Sequence, residues 1–153
     1  MSDNVTGSYL DVLGMVERLH RQFLEGLKGE LDAIGRTDIN NVQALLLFNI
    51  GDDHISVGEL TSRGYYLGSN VTYNLKKLVE NGYLEQQPSP HDRRSSRVGI
   101  TDKGRKLWSQ VADFFNHQGE ALAQDYGLTR EQFTQITDTF RTIERYWRDN
   151  NLI

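Results

Sequence analysis

The chain is 153 residues long, 37% hydrophobic and 25% charged, which suits one ordinary domain with appended helices and excludes a disordered polymer. It contains no cysteine, which excludes disulfides, thiolate zinc sites, iron–sulfur clusters and thiol-based redox sensing. The net charge of −4 argues against a nucleic-acid partner only until charge is counted by segment.

Tyr9, Val12, Leu13, Val16, Leu19, Phe23, Leu27, Leu31 and Ile34 recur at three- and four-residue steps and predict a first helix over 6–34, capped by Gly35. At ~1.5 Å per residue such a helix is ~40 Å long and must pack beyond one small core. A second helix is predicted over 41–50, capped by Asn40, with Val42, Leu45, Leu46 and Ile50 buried. Ser56 and Glu59 read as a capping box opening a short third helix over 57–63, ended by Gly64. The fourth helix begins near Ser69 and ends at Asn81-Gly82, with Val71, Leu75, Leu78 and Val79 inward. Its opposite face carries Ser69, Asn70, Tyr73, Lys76, Lys77 and Glu80. Both prolines, Pro88 and Pro90, fall in one polar stretch between two short candidate strands, 83–87 and a second ending at Ile100, which reads as a β-hairpin. Thr101 caps a fifth helix over 102–125. Thr129 and Gln132 form the capping box of a last helix, along which Phe133, Ile136, Phe140, Ile143 and Trp147 form an a/d-like seam.

Residues 63–106 hold nine basic residues against four acidic ones, so this segment carries +5 and the remainder −9. A short helix, a turn, a polar-faced helix and a basic hairpin are the parts of a helix-turn-helix with a wing. Ser69, Asn70, Thr72 and Tyr73 would offer donors and acceptors to base edges in a major groove, and Lys76 and Lys77 would reach phosphates. Arg93, Arg94 and Arg97 would meet the enhanced negative potential of a minor groove.

Residues 92–104, DRRSSRVGITDKG, resemble the wing signature DxRxxxxxLTxxG of the MarR family of bacterial transcription regulators. Asp92, Arg94, Thr101 and Gly104 match, while Ile100 stands at the leucine position. The stretch 56–84 is similar to that family's helix-turn-helix, and the long flanking helices are similar to its dimerisation helices. The resemblance implies a mainly α fold with a small β-hairpin wing, a winged helix-turn-helix with long terminal dimerisation helices. Residues 1–35 and 107–153 would form the dimerisation lobe and 36–106 the DNA lobe. It implies a homodimer on a pseudo-palindromic double-stranded DNA operator, acting as repressor or activator, with Arg94 at the wing tip and Asp92 bracing the turn. It also implies a small aromatic or phenolic effector in a cleft between the lobes, for which His20, Phe23, Asn41, Gln43, Tyr65 and Tyr66 are the candidates. The runs DINNVQALLLFNIGD and RGYYLGSNVTYNLKKLVENGYL look most like a subgroup regulating L,D-transpeptidase genes.

Plainer readings stand beside these. Arg94 and Asp92 pair as a structural brace, Lys76 and Lys77 solubilise, and the aromatics pack a core or a dimer interface. Asp52-Asp53-His54 invites a metal, but adjacent residues at a turn seldom converge on one ion, so no metal and no cofactor is expected. No phosphate loop, nucleophile elbow or i, i+4 ligand pair points to an enzyme. No apolar run approaches ~20 residues and no signal peptide opens the chain, so a cytoplasmic protein without membrane contact is expected. The alternatives to a DNA regulator are a winged-helix protein-interaction adaptor and a ligand-binding protein without DNA binding.

Overall fold

The computed structural model describes residues 4–62, 68–88 and 96–153, the side chains at 57, 61, 62, 68, 69, 88 and 96 excepted. The elements run α1 (Val5–Ala33), α2 (Asn41–Ile50), β1 (Ile55–Ser56), α3 (Val57–Ser62), α4 (Gly68–Glu80), β2 (Leu84–Pro88), β3 (Ser96–Ile100), α5 (Asp102–Tyr126) and α6 (Arg130–Asp149). This is the mainly helical architecture with a small antiparallel sheet that the patterning predicts.

Asn4 starts α1 by accepting a bond from Gly7 N at 3.0 Å. Gly35, at φ +76°, stops it. That left-handed residue lets Arg36 N reach Leu31 O at 2.9 Å and Gly35 N reach Asp32 O at 3.1 Å, satisfying carbonyls that the helix end would orphan. Within α1 only Leu27 and Leu31 are buried. Leu10, Val12, Met15, Val16, Leu19 and Phe23 stay exposed, as expected for a helix too long for one core.

In α2, Asn40 and Gln43 satisfy each other's backbone donors in a full capping box. Ala44, Leu46, Leu47 and Ile50 are buried, whereas the predicted Val42 and Leu45 are only half-buried. Its central run Ala44–Phe48 is apolar all round and the helix packs on α1, α4 and β3, so its burial does not follow a single stripe. Across the start of α5, the Trp108 ring stacks on Phe48 at 5.5 Å, and its Nε1 donates to Phe48 O at 3.1 Å.

The sheet has the order β1-β3-β2, antiparallel throughout. Two residues of β1 pair with β3, Ile55 with Val98 and Ser56 with Arg97. The hairpin register runs from Leu84 opposite Ile100 to Pro88 opposite Ser96. Strand β1 has no counterpart in the sequence reading, because two residues are too short to display an alternating pattern. The predicted first hairpin strand is shifted by one: Tyr83 belongs to the turn that ends α4, where Gly82 at φ +82° lets Tyr83 N donate to Leu78 O at 2.9 Å.

The chain divides into two compact units, Met1–Ala112 and Asp113–Ile153. Among the described residues, every large fully buried side chain belongs to the first unit. The second comprises the later part of α5 and all of α6, which is opened by the predicted Thr129–Gln132 capping box and has no buried residue.

Candidate nucleic-acid interface

Helix α4 is sorted into two faces. Val71, Leu75 and Leu78 point into the core at 1%, 5% and 1% exposure. Asn70, Thr72, Tyr73 and Lys76 lie exposed on the other side, Tyr73 at 59%. These four are the sequence candidates that the structure brings together on one accessible surface. The side chain of Ser69 lies outside the described residues. Lys77 is half-buried and already engaged: its Nζ lies 3.4 Å from Glu80 Oε2 and 5.8 Å from the centre of the Tyr73 ring. Asn74, absent from the sequence candidates, accepts a bond from Gln43 Nε2 at 3.3 Å and ties α4 to α2.

The hairpin presents less. Asp92, Arg93 and Arg94 lie outside the described residues, as do Tyr65 and Tyr66. Arg97 stands toward the loop end of the described ribbon, opposite Gln87, exposed, with Nη2 3.5 Å from Glu59 Oε1 of α3. Ser56 Oγ accepts from Glu59 N at 3.2 Å, the predicted cap of α3.

At the other end of the ribbon, the Thr101 and Gly104 positions of the wing signature have structural work. Thr101 Oγ1 accepts from Gly104 N at 3.1 Å, capping α5, and lies 2.6 Å from Gly82 O and 3.0 Å from Tyr83 O. The Gly104 backbone runs so close to Tyr83 that a Cβ there would lie 3.1 Å from the Tyr83 carbonyl carbon and 2.8 Å from Ile100 Cγ1. Glycine is required by proximity, since α5 starts against the turn after α4.

A polar knot fastens the same corner. The fully buried Tyr83 donates its hydroxyl to Asp38 Oδ1 at 2.5 Å. Lys103 Nζ donates to Asp38 Oδ2 and to Asn81 O, both at 2.7 Å, and sits 4.3 Å from the centre of the Tyr83 ring. Burial and the bond to Asp38 push the Tyr83 phenol up to about 12. At Asp38 burial acts upward, but bonds from Lys103 and Tyr83 prevail and hold the carboxyl below its usual value of 3.8. The three side chains are far apart in sequence, and no spacing rule points to them.

Four of the six effector candidates, His20, Phe23, Asn41 and Gln43, lie among the described residues. His20 and Phe23 are exposed neighbours on α1. Asn41 Nδ2 donates to Leu24 O at 2.9 Å, one residue from Phe23, and so ties α2 to α1. Gln43 is committed elsewhere, its Oε1 accepting from Asn40 N at 3.2 Å and its Nε2 donating to Asn74. Among the described residues, no three His, Asp or Glu side chains are grouped to hold a metal ion, and no helix is long and apolar enough to cross a membrane.

Comparison with known proteins agrees with this geometry. The MarR family model matches residues 37–95. The exopolysaccharide II synthesis transcriptional activator ExpG of Rhizobium meliloti (strain 1021) is 40% identical over 145 residues, covering 95% of this chain and 74% of that one. Streptococcus pneumoniae FabT, solved in complex with DNA, superposes at a TM-score of 0.73 with 19% identity, over 92% of this chain and 98% of its own. Staphylococcus aureus MarR, solved in complex with salicylate and kanamycin, reaches 0.75 with 18% identity, over 96% and 95%. The two solved structures establish the fold, and the 40% identity along nearly the whole chain establishes kinship. With a helix-turn-helix, a ribbon and a matching wing signature, the chain belongs to the MarR family of winged-helix, DNA-binding transcription regulators.

Proposed function

We propose that the protein acts in the cytoplasm as a homodimer on a pseudo-palindromic operator, each copy laying α4 in a major groove with its ribbon tip against the neighbouring minor groove. The observation that carries this reading is the two-faced α4, with Asn70, Thr72, Tyr73 and Lys76 exposed opposite the buried Val71, Leu75 and Leu78, the predicted Val79 being half-buried. Asn70, Thr72 and Tyr73 read base edges, joined by Ser69 at the helix start. Lys76 and Lys77 hold phosphate, and Arg93 and Arg94 supply the ribbon's charge while Asp92 braces its turn.

Dimerisation is supported by two exposed apolar rows, one on each unit. An apolar row of α1, Leu10, Val12, Met15, Val16 and Leu19, stands exposed. Helix α6 has no fully buried residue; on its seam Phe133, Ile136 and Phe140 are 41%, 50% and 38% exposed, while Ile143 and Trp147 are half-buried. Apolar rows of this size seldom face water in a stable monomer. Residues 1–35 and 107–153 then serve as the dimerisation lobe and 36–106 as the DNA lobe. Two copies of α4 reach half-sites about one helical turn apart, ~34–36 Å.

A small aromatic or phenolic effector relieves or redirects binding in this reading. His20, Phe23, Asn41, Gln43, Tyr65 and Tyr66 are its proposed contacts; Asn41 already bonds Leu24 O, one residue from Phe23, and Gln43 bonds Asn40 and Asn74. Salicylate bound to the Staphylococcus aureus relative lends chemical support. An effector shifts DNA binding only by its unequal affinity for the competent and incompetent states. The likeness to regulators of L,D-transpeptidase genes makes cell-wall remodelling genes the proposed targets.

Selection of bound fragments from genomic DNA tests the whole reading. Enrichment of one inverted repeat by the wild-type protein, lost in Lys76→Ala with Arg94→Ala, is the expected result. A protein that retains no duplex at low salt is not acting through α4.

A further inference from the structure

The segment from His54 to Glu59 grips strand β3 at three successive points. His54 lies over Gly99, where a Cβ would meet its Nδ1 at 2.8 Å and Gln87 Nε2 at 3.3 Å. Ile55 and Ser56 pair with Val98 and Arg97. Glu59, in the first turn of α3, reaches Arg97 Nη2 at 3.5 Å. Arg97 and Gly99 lie two apart on one strand and therefore share a sheet face, opposite the buried Val98. Both side-chain points of the grip fall on that outer face, with the backbone pairing between them.

Pairing of two residues is a weak anchor for a ribbon that must hold its angle to a recognition helix. Ser56 closes the circuit, since it pairs with Arg97 through the backbone and caps α3 at Glu59 N through its hydroxyl. A tilt of the ribbon thus requires the Glu59–Arg97 pair to part.

We propose that Glu59 and Arg97 form a clasp that sets the ribbon's angle to the helix-turn-helix, so that Arg97 is a positioning residue and not a phosphate ligand. Its effect on DNA affinity rests on the DNA-binding reading above; its effect on the ribbon does not. The two roles for Arg97 predict opposite behaviour. A phosphate ligand facing Glu59 is weakened by that carboxylate, so Glu59→Gln would tighten DNA binding. A clasp is broken by the same substitution, so binding weakens.

The test uses the full chain in four forms: wild type, Glu59→Gln, Arg97→Gln and the exchanged pair Glu59→Arg with Arg97→Glu. Hydrogen exchange on the DNA-free protein reads the Ile55, Ser56 and Val98 amides. Affinity for the duplex retained by the wild-type protein is measured across a salt series. Each single variant is expected to exchange faster at β1–β3 and to bind about two- to five-fold more weakly, the range set by an exposed ion pair. The slope of log affinity against log salt stays unchanged, and the exchanged pair regains both protection and affinity. The clasp is overturned by tighter binding of Glu59→Gln, by a slope flattened by about one per chain in Arg97→Gln, or by an exchanged pair that stays weak. Should the wild type retain no duplex, the DNA reading fails, and hydrogen exchange alone decides: unchanged protection in both single variants rejects the clasp.

Discussion

Among the described helical glycines, Gly104→Ala should destabilise the fold most. The added Cβ would stand 2.8 Å from Ile100 Cγ1 and 3.1 Å from the Tyr83 carbonyl carbon, and closer still to the carbonyl oxygen. Tyr83 cannot retreat easily: its amide donates to Leu78 O at 2.9 Å, its carbonyl accepts from Thr101 N at 3.1 Å, and its ring is fully buried. Relief therefore comes from lifting the start of α5, which stretches the bond from Gly104 N to Thr101 Oγ1. Overpacking against a backbone costs ~1–3 kcal/mol, and weakening the cap adds ~0.5–2 kcal/mol. We expect a loss of ~2–4 kcal/mol, a fall in Tm of about 5–15 °C for a chain of this size. Gly29→Ala is the matched control, because a Cβ there meets nothing within 4 Å and helix propensity favours it by ~0.5–1 kcal/mol. Thermal unfolding by circular dichroism at equal protein concentration compares them. A Gly104→Ala variant as stable as wild type would refute the close-approach argument.

The polar knot makes a prediction at each end of the pH scale. Tyr83 is raised to about 12, so its protonated form is the one the fold favours. That stability is whole below the unfolded value of ~10 and is lost as pH rises toward 12. Denaturant titrations should show this alkaline loss in the wild type and a smaller one in Tyr83→Phe, which starts ~1–2 kcal/mol less stable at neutral pH. Asp38 is held below 3.8, so its contribution is present above that value and lost as pH falls through the lower one. Asp38→Asn should be weaker near neutrality and should converge on the wild type in acid; equal stability at pH 7 would show that the knot contributes nothing. On α4, Lys76→Ala should flatten the salt slope of DNA binding by about one per chain. Lys77→Ala should flatten it less, since Glu80 already shares that charge, and the reverse order would reassign the phosphate contact. Phe140→Asp should leave a folded monomer at concentrations where the wild type sediments as a dimer; an unchanged sedimentation coefficient would remove α6 from the interface.

Legibility in the sequence followed the range of the interactions concerned. Periodicity and local caps located the helices, because an Asn40–Gln43 or Thr129–Gln132 bond spans one turn and its residues stand three apart. The two-faced character of α4 was equally visible, since burial on one helix is a matter of ~100° steps. What escaped was non-local. Asp38 meets Tyr83 and Lys103 only because the α1–α2 connection, the end of α4 and the start of α5 converge. Strand β1 exists only because β3 passes beside it. Arg97 reads from the sequence as one of three cations of the wing, and nothing in its neighbourhood along the chain announces Glu59. Gly104 matches the wing signature in the sequence, but its steric reason lies in the Tyr83 carbonyl beside it, 21 positions earlier in the chain. Gln43 is an effector candidate only through the family resemblance, and its bonds to Asn40 and Asn74, the latter on another helix, are invisible to local spacing.

Amide chemical-shift mapping of the labelled protein against a selected duplex asks most directly whether α4 and the ribbon together receive DNA. The account predicts shifts concentrated at Asn70, Thr72, Tyr73 and Lys76 and at the ribbon end of β2 and β3, with α6 silent and the effect weakening as salt is raised. Shifts confined to α6 or to the exposed face of α1, with α4 unmoved, would contradict it.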